Sequence, residues 1–273
     1  MSIKIFLKKS KFLFFVVKFL KIRIFKINSE IDTILLKKLK FDSAIDIGSN
    51  YGSYTSILRD ISKKVISVEP NLGILNLQKK ILGDNKIDFY NVAIGKKNGE
   101  VILNIPIKKN SLIYEEAFVS DTIISERYLK VNQQNGDDLF LNSKSLDFIK
   151  IDVEGYENEV LKSLSKSIKK FLPLILIEIE VRHSTKNKID KLINDLKDIN
   201  YVFYFMKNGK TLCEIEDFNF NYIRVLQSDF NLSKDIKKSI YNSYSTKHYI
   251  NNFWCFNKKK IETYDKILTQ FTI

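Results

Sequence analysis

Only three prolines, nine glycines and two cysteines occur among the 273 residues. So little proline and glycine excludes collagen-like and linker-rich architectures. Cys213 and Cys255 lie far apart, with no metal-type spacing and no histidine nearby. A disulfide framework or zinc site is therefore not what organises this chain, and a reducing, cytoplasmic setting is expected. Arginine is scarce as well: Arg23, Arg59, Arg127, Arg182 and Arg224 are the only ones, so lysine carries nearly all of the +13 net charge. Nucleic-acid readers depend on the bidentate arginine fork. The basic balance thus reads first as a solvated surface, and a nucleic-acid partner is disfavoured.

Long apolar runs are also missing. The stretch KFLFFVVKFL, Lys11 to Leu20, is interrupted by Lys18 and is too short to span a bilayer. No small-residue cleavage site follows it, as a secretory signal would require. Drawn as a helix, it places Lys4, Lys8, Lys11 and Lys18 on one side and Phe6, Leu13, Val17, Leu20 and Ile24 on the other. Residues 1–38 are accordingly expected to form a basic amphipathic helical extension. Residues 1–27 suit peripheral contact with the anionic inner face of a membrane. They equally suit a helix packed on the domain with its lysines in water.

What is present is a large apolar fraction, 44%, of which aromatic residues supply 12% of the chain. That is enough for one sizeable core. From residue 41 onward, β-rich apolar runs alternate with helical patterns, as a parallel sheet with crossover helices requires. Strands are expected near 44–47, 64–68, 87–91, 146–151 and 174–179, with helices near 54–61, 72–82 and 156–165 between them. Residues 108–135 read as the least regular part. Beyond a helix at 188–199, strands at 201–206 and 211–215 flank Asn208-Gly209, a strong hairpin signal. A late strand, 251–256, contains the only tryptophan, Trp254.

The most informative turn is DIGSNYG, Asp46 to Gly52, at the carboxyl end of the first strand, where open α/β sheets bind ligands. Its G-x-x-x-G spacing fails the G-x-G-x-x-G pyrophosphate pattern and lacks the ending of a P-loop. Asp46 would repel a phosphate and suits an amino group or hydroxyls. Glu69, at the end of the second strand about 20 residues on, is placed to accept hydrogen bonds from a ribose diol. A ribose without a phosphate at the turn points to S-adenosylmethionine ahead of NAD.

DIGSNYGSYT, VEP at 68–70, NVAIG at 91–95 and LDFIKIDVEGYENEVL at 146–161 together resemble the FkbM-type methyltransferases. The similarity spans roughly residues 41 to 182, and KIDVEG, Lys150 to Gly155, is its most family-specific piece. The resemblance implies a class I, Rossmann-like α/β domain over residues 39–260. Its sheet would be seven-stranded and mostly parallel, with an antiparallel hairpin at the edge, and residues 261–273 would form a helical tail. It also implies methyl transfer from S-adenosylmethionine to a hydroxyl on a sugar, glycan or related metabolite. Carried over, Asp46, Gly48, Asn50, Tyr51 and Gly52 would hold the methionine end of the cofactor. Glu69 with Pro70 would take the ribose, Asn91 would border the adenine, and Asp152 would face both cofactor and acceptor.

An aliphatic hydroxyl is a poor nucleophile, so a base beside it would help; Asp152, Glu154 and His183 are the candidates. Structural readings stand beside these. Lys150 and Asp152 alternate on a strand and suit a neutralising pair, and Glu154 and Glu157 suit the first turn of a helix. Glu178 and Glu180 suit either a substrate face or a strand end in water. Asp152 and Glu154 form half of a divalent-metal set, but no third ligand stands at a telling spacing, so no metal is expected. An RNA methyltransferase, or a membrane-surface adaptor without catalysis, are the competing functions.

Overall fold

The computed structural model describes residues 32–83, 85–108, 111–207, 211–227 and 250–271. The basic stretch of residues 1–31, the hairpin tip Asn208-Gly209 and His248 lie outside the described residues. Among those described, no helix is long and apolar enough to cross a membrane.

The chain enters through α1 (Thr33–Leu36), whose Leu35 and Leu36 are buried against the domain. It then alternates β1 (Phe41–Ile47), α2 (Ser53–Ile61), β2 (Ser62–Val68), α3 (Leu72–Leu82) and β3 (Ile87–Tyr90). A strand-rich excursion follows: β4 (Ala93–Ile94), β5 (Gly99–Ile105), β6 (Ile107–Lys108), β7 (Ser111–Leu112), β8 (Phe118–Ser120) and β9 (Arg127–Gln134). Next come α4 (Gly136–Phe140), β10 (Phe148–Ile151), α5 (Glu157–Ser163), α6 (Ser165–Phe171), β11 (Leu174–Glu178) and α7 (Lys186–Lys197). The chain closes with β12 (Tyr201–Lys207), β13 (Thr211–Ile215), α8 (Phe220–Leu226), β14 (Asn252–Asn257) and α9 (Asp265–Phe271).

The main sheet runs β13-β12-β14-β11-β10-β1-β2-β3. β3, β2, β1, β10 and β11 are mutually parallel, whereas β14 is antiparallel to both β11 and β12. The sheet therefore has eight strands where the family pattern implies seven. The additional one is β13, which pairs antiparallel with β12 along five residues and forms the edge hairpin. Its Leu212 and Ile215 are buried, and that burial fixes the extra strand to the sheet. β14 inserts inside the sheet because Phe253, Trp254, Cys255 and Phe256 leave neither face fit for water.

Side-chain alternation along the central strands divides the core into two layers. Ile45, Ile47, Ile149, Ile151, Ile175 and Ile177 pack one face. Ala44, Phe148, Leu174, Leu176 and Trp254 pack the other, beneath Tyr54, Ile57 and Leu58 of α2. Lys150 shares that second face and is fully buried.

Residues 108–135, expected to be irregular, instead contribute to a second sheet ordered β4-β9-β5-β8. β9 reads RYLKVNQQ and buries only Val131, so no apolar alternation announces it. Its strand character comes from pairing with β5 over seven residues, from Gly99↔Gln133 to Ile105↔Arg127. This small sheet brings Leu103 and Val119 to the mouth of the site described next.

Candidate active site

β1 sits where the chain order reverses, flanked by β2 on one side and β10 on the other. A crevice forms outside the carboxyl ends of such strands. The turn after β1 is held from several directions. The amides of Gly48 and Ser49 both donate to the Val68 carbonyl, at 3.0 Å each. Gly48 has φ +77°, and a Cβ there would lie 1.8 Å from the Asp152 carbonyl oxygen. This glycine therefore lets the ends of β1 and β10 touch. Gly52, at φ +83°, is left-handed as well, and a Cβ there would lie 2.7 Å from the Leu82 side chain of α3. Asn50 adopts φ +47°, donates its amide to Glu69 Oε2 at 2.9 Å, and leaves its buried Oδ1 without a hydrogen-bond partner among the described residues.

Glu69 is buried, and its other oxygen accepts from the Asn71 amide at 2.8 Å. Burial pushes its carboxyl up to about 7, against the pull of those two amides. Each carboxylate oxygen keeps a further lone pair for a ligand. Asn91 donates to the carbonyls of Glu69 and Pro70, at 3.0 and 2.9 Å. It braces this corner from outside, while Val92, Ala93 and Ile94 form the apolar wall beside Pro70.

The resulting cleft holds about 620 Å³ including its mouth. Its walls include Gly48, Asn50, Glu69 and Pro70 from the ends of β1 and β2, Asp152, Val153, Glu154 and Tyr156 from the segment after β10, and Tyr114, Glu115 and Ala117. Asp46, Tyr51, Gly52, Asn91 and His183 are not among its walls. Asp46 lies beneath the turn, accepting a 2.6 Å hydrogen bond from Thr55 Oγ1. Burial raises its carboxyl to about 6, with the Thr55 bond opposing. Tyr51 is half-buried, and burial followed by the Glu115 charge takes its hydroxyl to about 12. Asp46 thus supports the turn from the protein side, whereas Tyr51 has Glu115, Tyr114 and Glu69 for neighbours.

The acidic end is built by the segment after β10. Asp152 Oδ2 lies 3.5 Å from Lys150 Nζ, whose stronger bond, 2.9 Å, goes to Asn252 Oδ1. Glu154 has φ +52° and brings its Oε2 within 2.9 Å of His183 Nε2. The same nitrogen is 3.5 Å from Glu180 Oε2. Glu180 is buried and also engages Arg182 Nε and Asn251 Nδ2. The Glu154 contact lifts the His183 imidazole above its ordinary value, so its charged form is favoured. His183 thus stands beside Glu154 as its partner. Acid ligands that sequence spacing does not reveal come from β11 and beyond. Carboxylate oxygens of Asp152, Glu154 and Glu178 all lie within 4.8 Å of one another, as do ligand atoms of Glu154, Glu180 and His183. Burial, then the Asp152 charge, drives Glu178 to about 9.

A mostly parallel sheet with this reversal, the antiparallel β14 set between β11 and β12, and a cleft at the reversal make this a class I methyltransferase fold. Residues 46–222 match the family described as Methyltransferase FkbM domain, and the chain belongs to that family. The similarity extends beyond residue 182, where the recognisable motifs stop. Among solved structures, methyltransferase FkbM from Methylobacillus flagellatus KT is 16% identical, with a TM-score of 0.43 over 63% of this chain. The match spans 44% of that structure's chain, under half its length. An O-methyltransferase from Bacillus cereus in complex with SAH is 10% identical, with a TM-score of 0.42 over 84% of this chain and 80% of its own. An rRNA methylase from Streptococcus thermophilus is 10% identical, with a TM-score of 0.41 over 82% of this chain and 92% of its own. No curated protein matches the sequence.

Proposed function

We propose that this protein transfers a methyl group from S-adenosylmethionine to a hydroxyl on a sugar, glycan or related metabolite. One observation carries the reading: a single cleft joins the Asn50–Glu69 pair to the carboxylates of Asp152 and Glu154. The residues fit the cofactor. Glu69 offers lone pairs to a ribose diol, Asn50 Oδ1 lacks a donor among the described residues, and Val92 to Ile94 supply an apolar wall for a base. When bound, S-adenosylmethionine supplies an electrophilic methyl on a cationic sulfonium.

The chain's own groups then align and polarise the acceptor. Among the described residues, the cleft walls carry four acids, Glu69, Glu115, Asp152 and Glu154, and no lysine or arginine. Such a lining suits a cationic cofactor and disfavours a phosphate backbone, so a sugar-type hydroxyl is a better acceptor than RNA. Asp152 and Glu154 are the groups that can receive the hydroxyl proton, and His183 holds Glu154 in place.

Calorimetric titration with S-adenosylhomocysteine tests the cofactor reading. The wild type is expected to bind, and Glu69→Ala to bind at least tenfold more weakly. No heat with the wild type would refute the assignment, and equal affinities would remove Glu69 from it.

A further inference from the structure

Gln78 is an interior position of α3 whose side chain is fully buried. An apolar residue would serve helix packing there, because burying an amide gains nothing over a hydrophobic isostere unless its hydrogen bonds serve another purpose. Every polar atom of this amide is committed to the glycine turn or to Ser67 beside it. Nε2 donates to Ser49 Oγ at 2.8 Å and to the Asn50 carbonyl. Oε1 accepts from Ser67 Oγ at 2.8 Å, and Ser67 Oγ lies 2.8 Å from Ser49 Oγ. Thr55 Oγ1, which holds Asp46, is 3.5 Å from the same Ser67 oxygen.

Asn50 is therefore held from both sides. Gln78 takes its carbonyl from behind, and Glu69 takes its amide from the cleft. At φ +47° the residue is in the left-handed region, and these two bonds fix the peptide orientation there. We propose that Gln78 is a positioning residue for cofactor binding, which acts through Asn50 to set the distance between the glycine turn and the Glu69 carboxylate. This rests on the cleft being an S-adenosylmethionine site. Gln78 itself does not line the cleft, so its effect on a ligand passes through Asn50.

The test is a double-mutant cycle on S-adenosylhomocysteine affinity, with the full chain and melting temperatures measured in parallel. Gln78→Met keeps the volume and removes the donors. Glu69→Gln keeps the shape but cannot accept from both Asn50 and Asn71 as a carboxylate does. Gln78→Met is expected to weaken binding about tenfold in the wild type, and less than threefold in the Glu69→Gln background. Equal losses in both backgrounds would mean that Gln78 supports the fold alone, and no loss in either would overturn the proposal outright. Should Gln78→Met fail to fold, Ser67→Ala, which frees one end of the amide, enters the same cycle, and the same two outcomes decide. A wild type that binds no S-adenosylhomocysteine would instead overturn the cofactor reading itself.

Discussion

Gly48→Ala is the sharpest perturbation the site offers, because backbone alone opposes it. The added methyl would lie 1.8 Å from the Asp152 carbonyl oxygen and 3.1 Å from Val153 Cγ1, and real Cβ contacts essentially never fall below 3.0 Å. The ends of β1 and β10 would have to part until the first distance grows from 1.8 to at least 3.0 Å. That separation loosens the Asp152 N–H to Ile47 bond and the Gly48 N–H to Val68 bond, each 3.0 Å long. A left-handed alanine costs ~1–2 kcal/mol. Overpacking adds ~1–3 kcal/mol, and each weakened backbone hydrogen bond adds up to ~1 kcal/mol. The sum is on the order of 2–7 kcal/mol, a large share of the ~5–15 kcal/mol that stabilises a domain. Thermal unfolding should therefore fall by roughly 10–20 °C, and S-adenosylhomocysteine binding should be lost, since the same movement displaces the turn from Glu69 and Asp152. Gly73→Ala, inside α3 with only Asn71 Oδ1 at 3.3 Å, is the matched control and should shift stability by less than ~1 kcal/mol. A Gly48→Ala protein with the wild-type melting temperature and affinity would refute the close approach of the two strand ends.

Three other outcomes follow from the same geometry. Asp152→Asn and Glu154→Gln should lower turnover on a hydroxylated acceptor by ~100-fold or more while S-adenosylhomocysteine affinity stays within about threefold; a parallel fall in both quantities would make these acids cofactor ligands only. His183→Ala should lower turnover less than Glu154→Gln does, because it removes the partner and leaves the carboxylate; the reverse ranking, from steady-state kinetics, would make His183 the proton acceptor. The unliganded protein should lose stability as pH rises. Asp46, Glu69, Glu157 and Glu178 titrate in the fold near 6, 7, 7 and 9, above their ordinary values of 3.8 and 4.5. The folded state thus keeps protons that the unfolded chain has released, so this contribution is complete below about pH 4 and is lost up to about pH 9. Melting temperatures rising steadily between pH 5 and 9 would contradict it.

The two ends of the site were legible in different degrees. Gly48 and Gly52 in DIGSNYG announced a turn that no side chain could make, and Glu69 announced an acid at the next strand end. Gly48 and Glu69 stand on the cleft, where the C-terminal ends of neighbouring parallel strands lie side by side, while Gly52 does not line it. Asp46 belonged to the same motif, yet it faces Thr55 of α2 and lies under the turn. The sequence could mark it as special, but the direction of its carboxylate depends on how α2 packs. Gln78 gave no signal, because a glutamine amid Leu72 to Leu82 looks like any polar helix position until α3 is laid behind the turn.

By itself the sequence determined the alternating βα order, the hairpin at 201–215 and the acid-bearing ends of β2 and β10. Those follow from periodicity and from the few residues that tolerate a given backbone. Tertiary structure alone decided that β14 enters the interior of the sheet and that β9 pairs with β5. It also decided that His183 stands beside Glu154 and that Lys150 is buried beside Asp152. Each of these depends on a partner distant in the chain, such as Asn252 for Lys150, 102 positions away. Local pattern records which face of an element is apolar; which element covers that face is set by the packing of the whole domain.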